Sequence, residues 1–213
     1  MISCAVARVA PMAIDPSSDY AARLQRISAA PWKRLAQPVN PYRWALRRWA
    51  TGRVLDVGCG IGRGLAYLGS ADNVGLDVDP AMVTLTRARG YEAHLIGDAG
   101  SVLARESFDA LVFSHVLEHM SASEATELVA MHVPYLRFGG RVVAICPQER
   151  GHASDPTHVE YMGAATIRTV LVDAGLEVIG VSSFPLPRVF GRWFVYNETI
   201  AHATRRAQSS TTT

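Results

Sequence analysis

The sequence contains little cysteine and no long apolar run, and both absences limit what the protein can be. Its three cysteines, Cys4, Cys59 and Cys146, are far apart and odd in number, so they form neither a disulfide framework nor a zinc-binding pattern. No stretch approaches the roughly 20 apolar residues that cross a bilayer. We therefore expect a cytoplasmic protein with no membrane span, whose 213 residues are enough to bury one core.

The net charge is also small, at +2, but the charged residues are unevenly distributed. Residues 1–50 contain eight Lys or Arg and two acidic residues, whereas residues 51–185 contain nine Lys or Arg and sixteen acidic residues. No basic module with interleaved aromatic residues stands apart, so a nucleic-acid partner is not expected. The proline-rich residues 1–39 predict an N-terminal arm or lid, residues 40–205 one domain, and residues 206–213 a disordered tail.

The stretch from Arg53 to Gly64, RVLDVGCGIGRG, is an apolar run that ends in alternating glycines. This pattern predicts a buried strand, a tight turn and a helix, with backbone that closely approaches a small cofactor. The spacing does not suit a dinucleotide, because Arg63 occupies the third glycine position of that fingerprint. Asp56, just before the glycines, suits a cationic ligand such as a sulfonium with an α-amino group.

Three further patterns follow at the ends of predicted strands. Asp77 ends the second buried run, where a carboxylate can accept hydrogen bonds from both hydroxyls of a ribose. Asp98 follows a third run, and the fourth run is FDALVFSH at Phe108–His115. Strands that alternate with helices predict a parallel sheet with right-handed crossovers.

The four patterns resemble, in order, the motifs of class I S-adenosylmethionine-dependent methyltransferases. The resemblance covers roughly residues 40–185 and implies S-adenosylmethionine as the methyl donor. It also implies an α/β, Rossmann-like doubly wound sheet of seven strands in the order 3-2-1-4-5-7-6, with the last strand antiparallel. The residues expected to bind the donor are Asp56, Gly58, Gly60, Asp77, Val78, Asp98, Ala99 and Ser114.

The remaining elements are predicted from their apolar runs and turn residues. Asn40 and Pro41 are a typical helix start, and that helix is expected to continue to Trp49. The later strands are expected at Arg141–Cys146 after a turn at Phe138–Gly140, at Leu176–Ser182, and from Arg192 to about His202.

Polar side chains follow predicted strands four and five, where ligands bind in open parallel sheets. If the chain makes a helical turn there, the i, i+3, i+4 spacing of His115, Glu118 and His119 places them on one side. His158 lies in a second polar cluster. Because imidazole and carboxylate groups bind divalent ions, we predict a site for Mg²⁺ or Mn²⁺ at His115, Glu118, His119 and His158, with Glu118 and His119 catalytic.

This cluster resembles two metal-using branches of the family. Small-RNA 2′-O-methyltransferases carry Glu-x-x-Glu-His after strand four, and ubiquinone-pathway O-methyltransferases carry Leu-Glu-His. His115 stands here in place of the first Glu, which leaves the ligand set and the metal open. The alternative is that Glu118 and His119 hydrogen-bond each other and only shape the acceptor loop.

Motifs that this sequence lacks narrow the chemical class of the methyl acceptor. Amino-group methylases of nucleic acid carry Asn/Asp-Pro-Pro-Tyr/Phe after strand four, where this chain has Ser114-His-Val-Leu117. Carbon-5 pyrimidine methylation needs a supported cysteine nucleophile, which Cys146-Pro147 does not obviously supply. Oxygen methylation is therefore favoured, since a hydroxyl needs a base or a metal and the cluster offers both.

Residues 183–198 add aromatic rings and guanidinium groups of the kind that line carbohydrate clefts. Together with a single lysine among 21 basic residues, they give the chain a resemblance to actinobacterial polysaccharide O-methyltransferases. We expect a sugar or oligosaccharide acceptor. A quinone, phenol or other secondary metabolite, a non-catalytic regulatory subunit, and a homodimer all stay open.

Overall fold

The computed structural model describes residues 41–206, which form one seven-stranded sheet with flanking helices. The strand order is β3-β2-β1-β4-β5-β7-β6. Strand β7 is antiparallel to both of its neighbours, and the other pairs are parallel, so the predicted Rossmann-like fold is confirmed. The strands are β1 (Val54–Val57), β2 (Val74–Asp77), β3 (Glu92–Leu95), β4 (Phe108–Ser114), β5 (Leu136–Pro147), β6 (Glu177–Phe184) and β7 (Glu198–Thr204).

The helices of the described region connect these strands and cover both faces of the sheet. They are α1 (Pro41–Trp49), α2 (Arg63–Leu68), α3 (Pro80–Ala88), α4 (Ala99–Val102), α5 (Ala122–His132), α6 (Glu149–His152) and α7 (Ala164–Asp173). Short 3₁₀ turns lie at Ile96–Asp98, Leu117–His119, Val133–Tyr135 and Arg188–Arg192. None of the described helices has the length and hydropathy needed to cross a membrane.

The central strands are apolar on both faces, because each face packs against helices. In β4, Ala110 and Val112 belong to a buried cluster that contains Leu46 of α1. Their neighbours Leu111 and Phe113 point the other way, into the larger cluster that contains residues of α5 and α7. The sheet is therefore a rigid base whose loops carry the polar side chains.

Local sequence signals set two of the helix starts. The Asp79 carboxylate accepts a hydrogen bond of 2.8 Å from the Ala81 amide and caps α3. Ser121 and Glu124 form a capping box, in which each side chain accepts from the backbone amide of the other residue. Helix α1, from Pro41 to Trp49, agrees with the sequence prediction.

The predicted turn at Phe138–Gly140 is wrong, since strand β5 already begins at Leu136. The chain passes through this point as a bulge: Phe108 pairs with Leu136, but Ala110 pairs with Arg141. Gly139 takes a positive φ of 72° there, which glycine adopts without strain. A glycine pair in this chain therefore marks a bulge rather than a strand end.

The predicted start of the last strand, at Arg192, is also wrong. Residues 188–192 form a 3₁₀ turn, and β7 begins only at Glu198. The buried side chain of Asn197 keeps the residues before β7 out of the sheet. Its oxygen accepts a hydrogen bond from the Leu186 amide at 2.9 Å, and its amide nitrogen donates to Gln148 Oε1 at 2.9 Å. The predicted arm at 1–39 lies outside the described residues, as does the predicted tail apart from Arg206.

One buried histidine lies in β7, away from the carboxyl ends of the strands. His202 is 9% exposed, and the Trp49 ring covers it with a centroid distance of 3.8 Å. Neither ring nitrogen has a hydrogen-bond partner among residues 41–206. Burial, together with the nearby Arg141 and Arg48 charges, lowers the pKa of His202 to about 4.

We expect His202 to make the protein less stable in mild acid. The unfolded chain takes up a proton near pH 6.5 and the folded protein only near pH 4, so stability present above about pH 6.5 is lost as the pH falls through this window. Between pH 7.5 and 5, urea unfolding should show a loss about 1–2 kcal/mol larger for the wild type than for His202→Phe. His94→Gln, on the edge strand β3, serves as the control and should behave as the wild type; equal losses in wild type and His202→Phe would contradict the expectation.

Candidate cofactor and acceptor site

The glycine turn between β1 and α2 is held against β2 and leaves part of its backbone open. The amides of Gly58 and Cys59 both donate to the carbonyl oxygen of Leu76, at 2.8 and 2.9 Å. Gly58 and Gly60 have positive φ angles of 76° and 54°. A Cβ atom added at Gly58 would lie 2.2 Å from a methyl of Val116, whereas one added at Gly60 would meet nothing within 4 Å. The chain at Gly60 thus faces space that a ligand can occupy.

Asp77 lies at the carboxyl end of β2 beside this open backbone. Its two carboxylate oxygens accept hydrogen bonds from the amides of Gly60, at 2.8 Å, and Asp79, at 3.0 Å. The side chain is nearly buried, and this burial raises the pKa of Asp77 above its usual value. The bonds fix the orientation of the carboxylate and leave lone pairs for a ligand hydroxyl.

Asp56, in the adjacent strand β1, is a second buried carboxylate. It is 2% exposed, and its Oδ2 atom comes so close to α2 that a Cβ atom at Gly64 would lie 2.4 Å away. Burial, reinforced by the charge of Asp77, raises the pKa of Asp56 to about 7. Two neighbouring buried carboxylates favour a cationic ligand, because a positive charge would offset both.

The other residues predicted to bind the donor lie on either side of these two. Val78 is 62% exposed directly after β2. Asp98 is exposed and Ala99 is buried where the chain leaves β3. Ser114, at the end of β4, forms a hydrogen bond with the hydroxyl of Tyr42 from α1. Sequence reasoning did not find Tyr42, because nothing in its local pattern relates it to a strand end 72 residues away.

Beyond β4, Glu118 is a fully buried carboxylate. The side chain is 0% exposed, its Oε1 atom lies 3.3 Å from His115 Nδ1, and its Oε2 atom has no hydrogen-bond partner in the described part of the chain. A buried carboxylate in this state is costly unless a cation or a donor reaches it. One ligand atom of Glu118 lies within 4.8 Å of one ligand atom each of His119 and His158, and these three residues are here called the EHH cluster.

Both histidines of the EHH cluster are oriented by backbone carbonyls. The Nδ1 atom of His119 lies 3.2 Å from the Thr157 carbonyl oxygen, and that of His158 lies 2.8 Å from the His152 carbonyl oxygen. A carbonyl only accepts, so each Nδ1 donates its hydrogen and each Nε2 keeps a free lone pair. Metal-binding histidines typically have this arrangement.

The EHH cluster is assembled by contacts between the loop after β4 and the loop after α6. The carbonyl oxygen of Glu118 accepts from the Val159 amide at 2.8 Å. The Glu160 carboxylate accepts from the Ala122 amide at 2.5 Å, at the start of α5. These bonds bring His158 beside residues about 40 positions earlier in the chain.

His115, the fourth residue of the predicted metal site, is not brought into this cluster. Its backbone has a positive φ of 56°, and the helical turn starts only at Leu117, so the assumed i, i+3, i+4 arrangement does not form. Its Nδ1 lies 3.3 Å from Glu118 Oε1, and its Nε2 lies 3.0 Å from Glu198 Oε1. Burial lowers the pKa of His115, but the carboxylates of Glu198 and Glu118 outweigh it and raise the pKa to about 10.

Residues 185–197, here called the aromatic segment, follow β6 at the same edge of the sheet. Its rings are exposed, from 37% for Phe194 to 69% for Trp193. Arg188 ties the segment to the loop after β5, since it pairs with Glu149 at 2.7 Å and donates to the Tyr161 hydroxyl at 3.0 Å. The segment therefore provides flat apolar surface close to the loop that carries His158.

Comparison with known proteins agrees with this fold. Residues 55–144 match the family described as a methyltransferase domain. Among curated proteins, none matches the chain.

Solved structures are similar to the chain over most of its length. An S-adenosylmethionine-dependent methyltransferase from Archaeoglobus fulgidus has a TM-score of 0.62 at 19% identity, covering 76% of this chain and 92% of its own. A chain of the Haloferax volcanii complex between the Trm112 methyltransferase activator and a putative methyltransferase has a TM-score of 0.65 at 18% identity, covering 89% and 95%. The [4+2]-cyclase SpnF has a TM-score of 0.60 at 18% identity, covering 84% of each chain.

We expect Asp77→Ala to weaken binding of S-adenosylmethionine by about tenfold or more, because each lost charge-assisted hydrogen bond to a ribose hydroxyl contributes roughly 1.5–3 kcal/mol. Isothermal titration calorimetry measures the affinity directly. Asp173→Ala, an exposed carboxylate at the end of α7, is the matched control and should bind as the wild type does. Unchanged affinity in a folded Asp77→Ala protein would place the cofactor elsewhere.

Proposed function

We propose that the protein is an S-adenosylmethionine-dependent methyltransferase that methylates a hydroxyl of a sugar or oligosaccharide, with a divalent ion bound at the EHH cluster. The observation that carries the proposal is the fully buried Glu118 carboxylate, whose Oε1 atom pairs with His115 at 3.3 Å and whose Oε2 atom has no hydrogen-bond partner within residues 41–206. It lies beside two histidines with free Nε2 atoms, at the edge of the sheet where the donor is expected. This arrangement is suited to activating an oxygen nucleophile.

The donor would be bound by the glycine turn and the two carboxylates beside it. Asp77 is positioned to accept hydrogen bonds from the ribose hydroxyls, since Gly60 and Asp79 fix its orientation. Asp56 offers negative charge to the amino-acid end of the molecule, which carries an ammonium and a sulfonium. The open backbone at Gly60 leaves room for the ligand between them.

The residues of the EHH cluster are suited to hold a divalent ion. Glu118 contributes a carboxylate oxygen, and His119 and His158 contribute the ring nitrogens that their carbonyl partners leave free. An ion bound there would supply Lewis acidity, which lowers the pKa of an acceptor hydroxyl.

The transfer itself forms one bond and breaks one. The acceptor oxygen attacks the methyl carbon, the carbon–sulfur bond breaks, and S-adenosylhomocysteine leaves with the electron pair on sulfur. The hydroxyl proton passes to solvent water when the Nε2 atom of His119 serves as a ligand, and to that Nε2 lone pair when no ion is bound. Holding the acceptor oxygen in line with the methyl group lowers the activation barrier further, because the bimolecular reaction becomes effectively intramolecular.

The aromatic segment supports a carbohydrate acceptor. Exposed rings such as Trp193 and Tyr196 offer the flat apolar faces on which sugars stack, and Arg188 keeps the segment close to the acceptor loop. The same rings would also suit a quinone or a phenol, which is the second candidate acceptor. A non-catalytic regulatory role is disfavoured, because the chain keeps both the carboxylates of the donor site and the EHH cluster.

A panel of oligosaccharides and phenols, incubated with S-adenosylmethionine carrying a labelled methyl group, tests the acceptor. We expect the label on a sugar oxygen, with loss of transfer in EDTA and recovery on adding a divalent ion. Label transfer only to phenols would replace the sugar by the second candidate. Full transfer in EDTA would remove the metal from the reaction.

The variant Glu118→Gln should abolish transfer while the affinity for S-adenosylmethionine stays within about threefold of the wild type, because Glu118 lies outside the donor site. Glu127→Gln, an exposed position on α5, is the matched control and should keep full activity. Circular dichroism confirms that both variants fold. An active Glu118→Gln enzyme would remove the EHH cluster from the chemistry.

A further inference from the structure

The EHH cluster has an unusual donor set for a magnesium site, and His115 is the reason. A carboxylate at position 115 would add a second oxygen, but the chain has an imidazole there. Both of its ring nitrogens face carboxylates, at 3.3 Å from Glu118 and 3.0 Å from Glu198. What remains for an ion is two imidazole nitrogens and one carboxylate.

Glu198 is fixed in the sheet, and its carboxylate holds the second ring nitrogen of His115, which is therefore not available to an ion in the EHH cluster. Its side chain is 14% exposed, and its carbonyl oxygen accepts a hydrogen bond of 3.0 Å from Gln148 Nε2. Gln148 is itself buried and bonded to Asn197, the residue that sets the start of β7. The partner of His115 is therefore supplied by a strand of the sheet rather than by a mobile loop.

Metal ions differ in how they respond to such a donor set. Mg²⁺ prefers oxygen ligands, keeps several waters and gives them up reluctantly. Imidazole nitrogens suit Zn²⁺ and other first-row transition metals, whose affinities rise from Mn²⁺ through Fe²⁺ to Co²⁺. Two nitrogens and one carboxylate therefore favour these ions over Mg²⁺.

We propose that the EHH cluster is a three-ligand site selective for Zn²⁺ or Co²⁺ over Mg²⁺, and that Glu198 limits the ligand set to three by holding His115 outside it. The inference rests on the proposed function only in taking the EHH cluster as the metal site. It corrects the metal expected from sequence and assigns a positioning role to Glu198. No acceptor needs to be known to test it.

Direct binding to the full-length protein, stripped with EDTA and dialysed, tests the selectivity. Isothermal titration calorimetry should give a dissociation constant for Zn²⁺ or Co²⁺ at least about a hundredfold lower than for Mg²⁺. The visible absorption spectrum of bound Co²⁺ reports the nitrogen ligands independently of activity. Equal affinities for Mg²⁺ and Zn²⁺, or no bound ion at all, would overturn the inference.

Substitutions then identify the ligands. Glu118→Gln and His158→Gln should each weaken Co²⁺ binding by more than about thirtyfold, whereas His115→Gln should change it by less than about threefold. His94→Gln, a histidine on the edge strand β3, controls for adventitious binding and should have no effect. A loss in His115→Gln as large as that in His158→Gln would show that His115 is a ligand and would overturn the assigned set.

The two proposals fail in different ways. If no ion binds but labelled methyl groups still reach a sugar, this inference is wrong and the transfer proceeds with a protein base alone. If Co²⁺ binds as described but no sugar is methylated, the metal site stands and the acceptor is wrong.

Discussion

Burying a carboxylate is costly unless cations or hydrogen-bond donors compensate its charge, and one edge of this sheet contains three such carboxylates. Asp56 and Asp77 lie side by side in β1 and β2, and Glu118 follows β4, with exposures of 2, 8 and 0%. Backbone amides satisfy Asp77 in part, and His115 lies 3.3 Å from one oxygen of Glu118, whose other oxygen has no hydrogen-bond partner in the described region. Cationic ligands would lower this cost, and we propose the ammonium and sulfonium of the donor for the first pair and a metal ion for Glu118.

The three carboxylates lie next to well-packed strands. The central strands are apolar on both faces, and Asp56, Asp77 and Glu118 lie near or beyond the carboxyl ends of β1, β2 and β4. There, parallel pairing brings together residues that are far apart in the chain, as with Glu118 and His158. The antiparallel strand β7 adds Glu198 to the same edge, beside His115.

Features encoded by local pattern could be predicted from the sequence, and those that depend on long-range contacts could not. The glycine turn and the start of helix α1 follow from spacing that is visible within a few residues, whereas the strand order came from the family resemblance. The late start of β7 depends on Asn197, whose partner Gln148 is 49 residues away. The i, i+3, i+4 spacing does not predict the position of His115, because its positive φ prevents the helical turn that this spacing favours.

We infer that the buried carboxylates select a cationic methyl donor. Proton release when S-adenosylmethionine binds tests this inference most directly. The pKa of Asp56 is raised to about 7 in the free protein, and a bound cation would lower it. Calorimetry of S-adenosylmethionine binding at pH 6.5, in two buffers of different ionisation enthalpy, should therefore detect release of a proton, and affinity should rise with pH through about 7. The Asp56→Asn variant should release none. Binding by the wild type without proton release and without pH dependence would contradict the account.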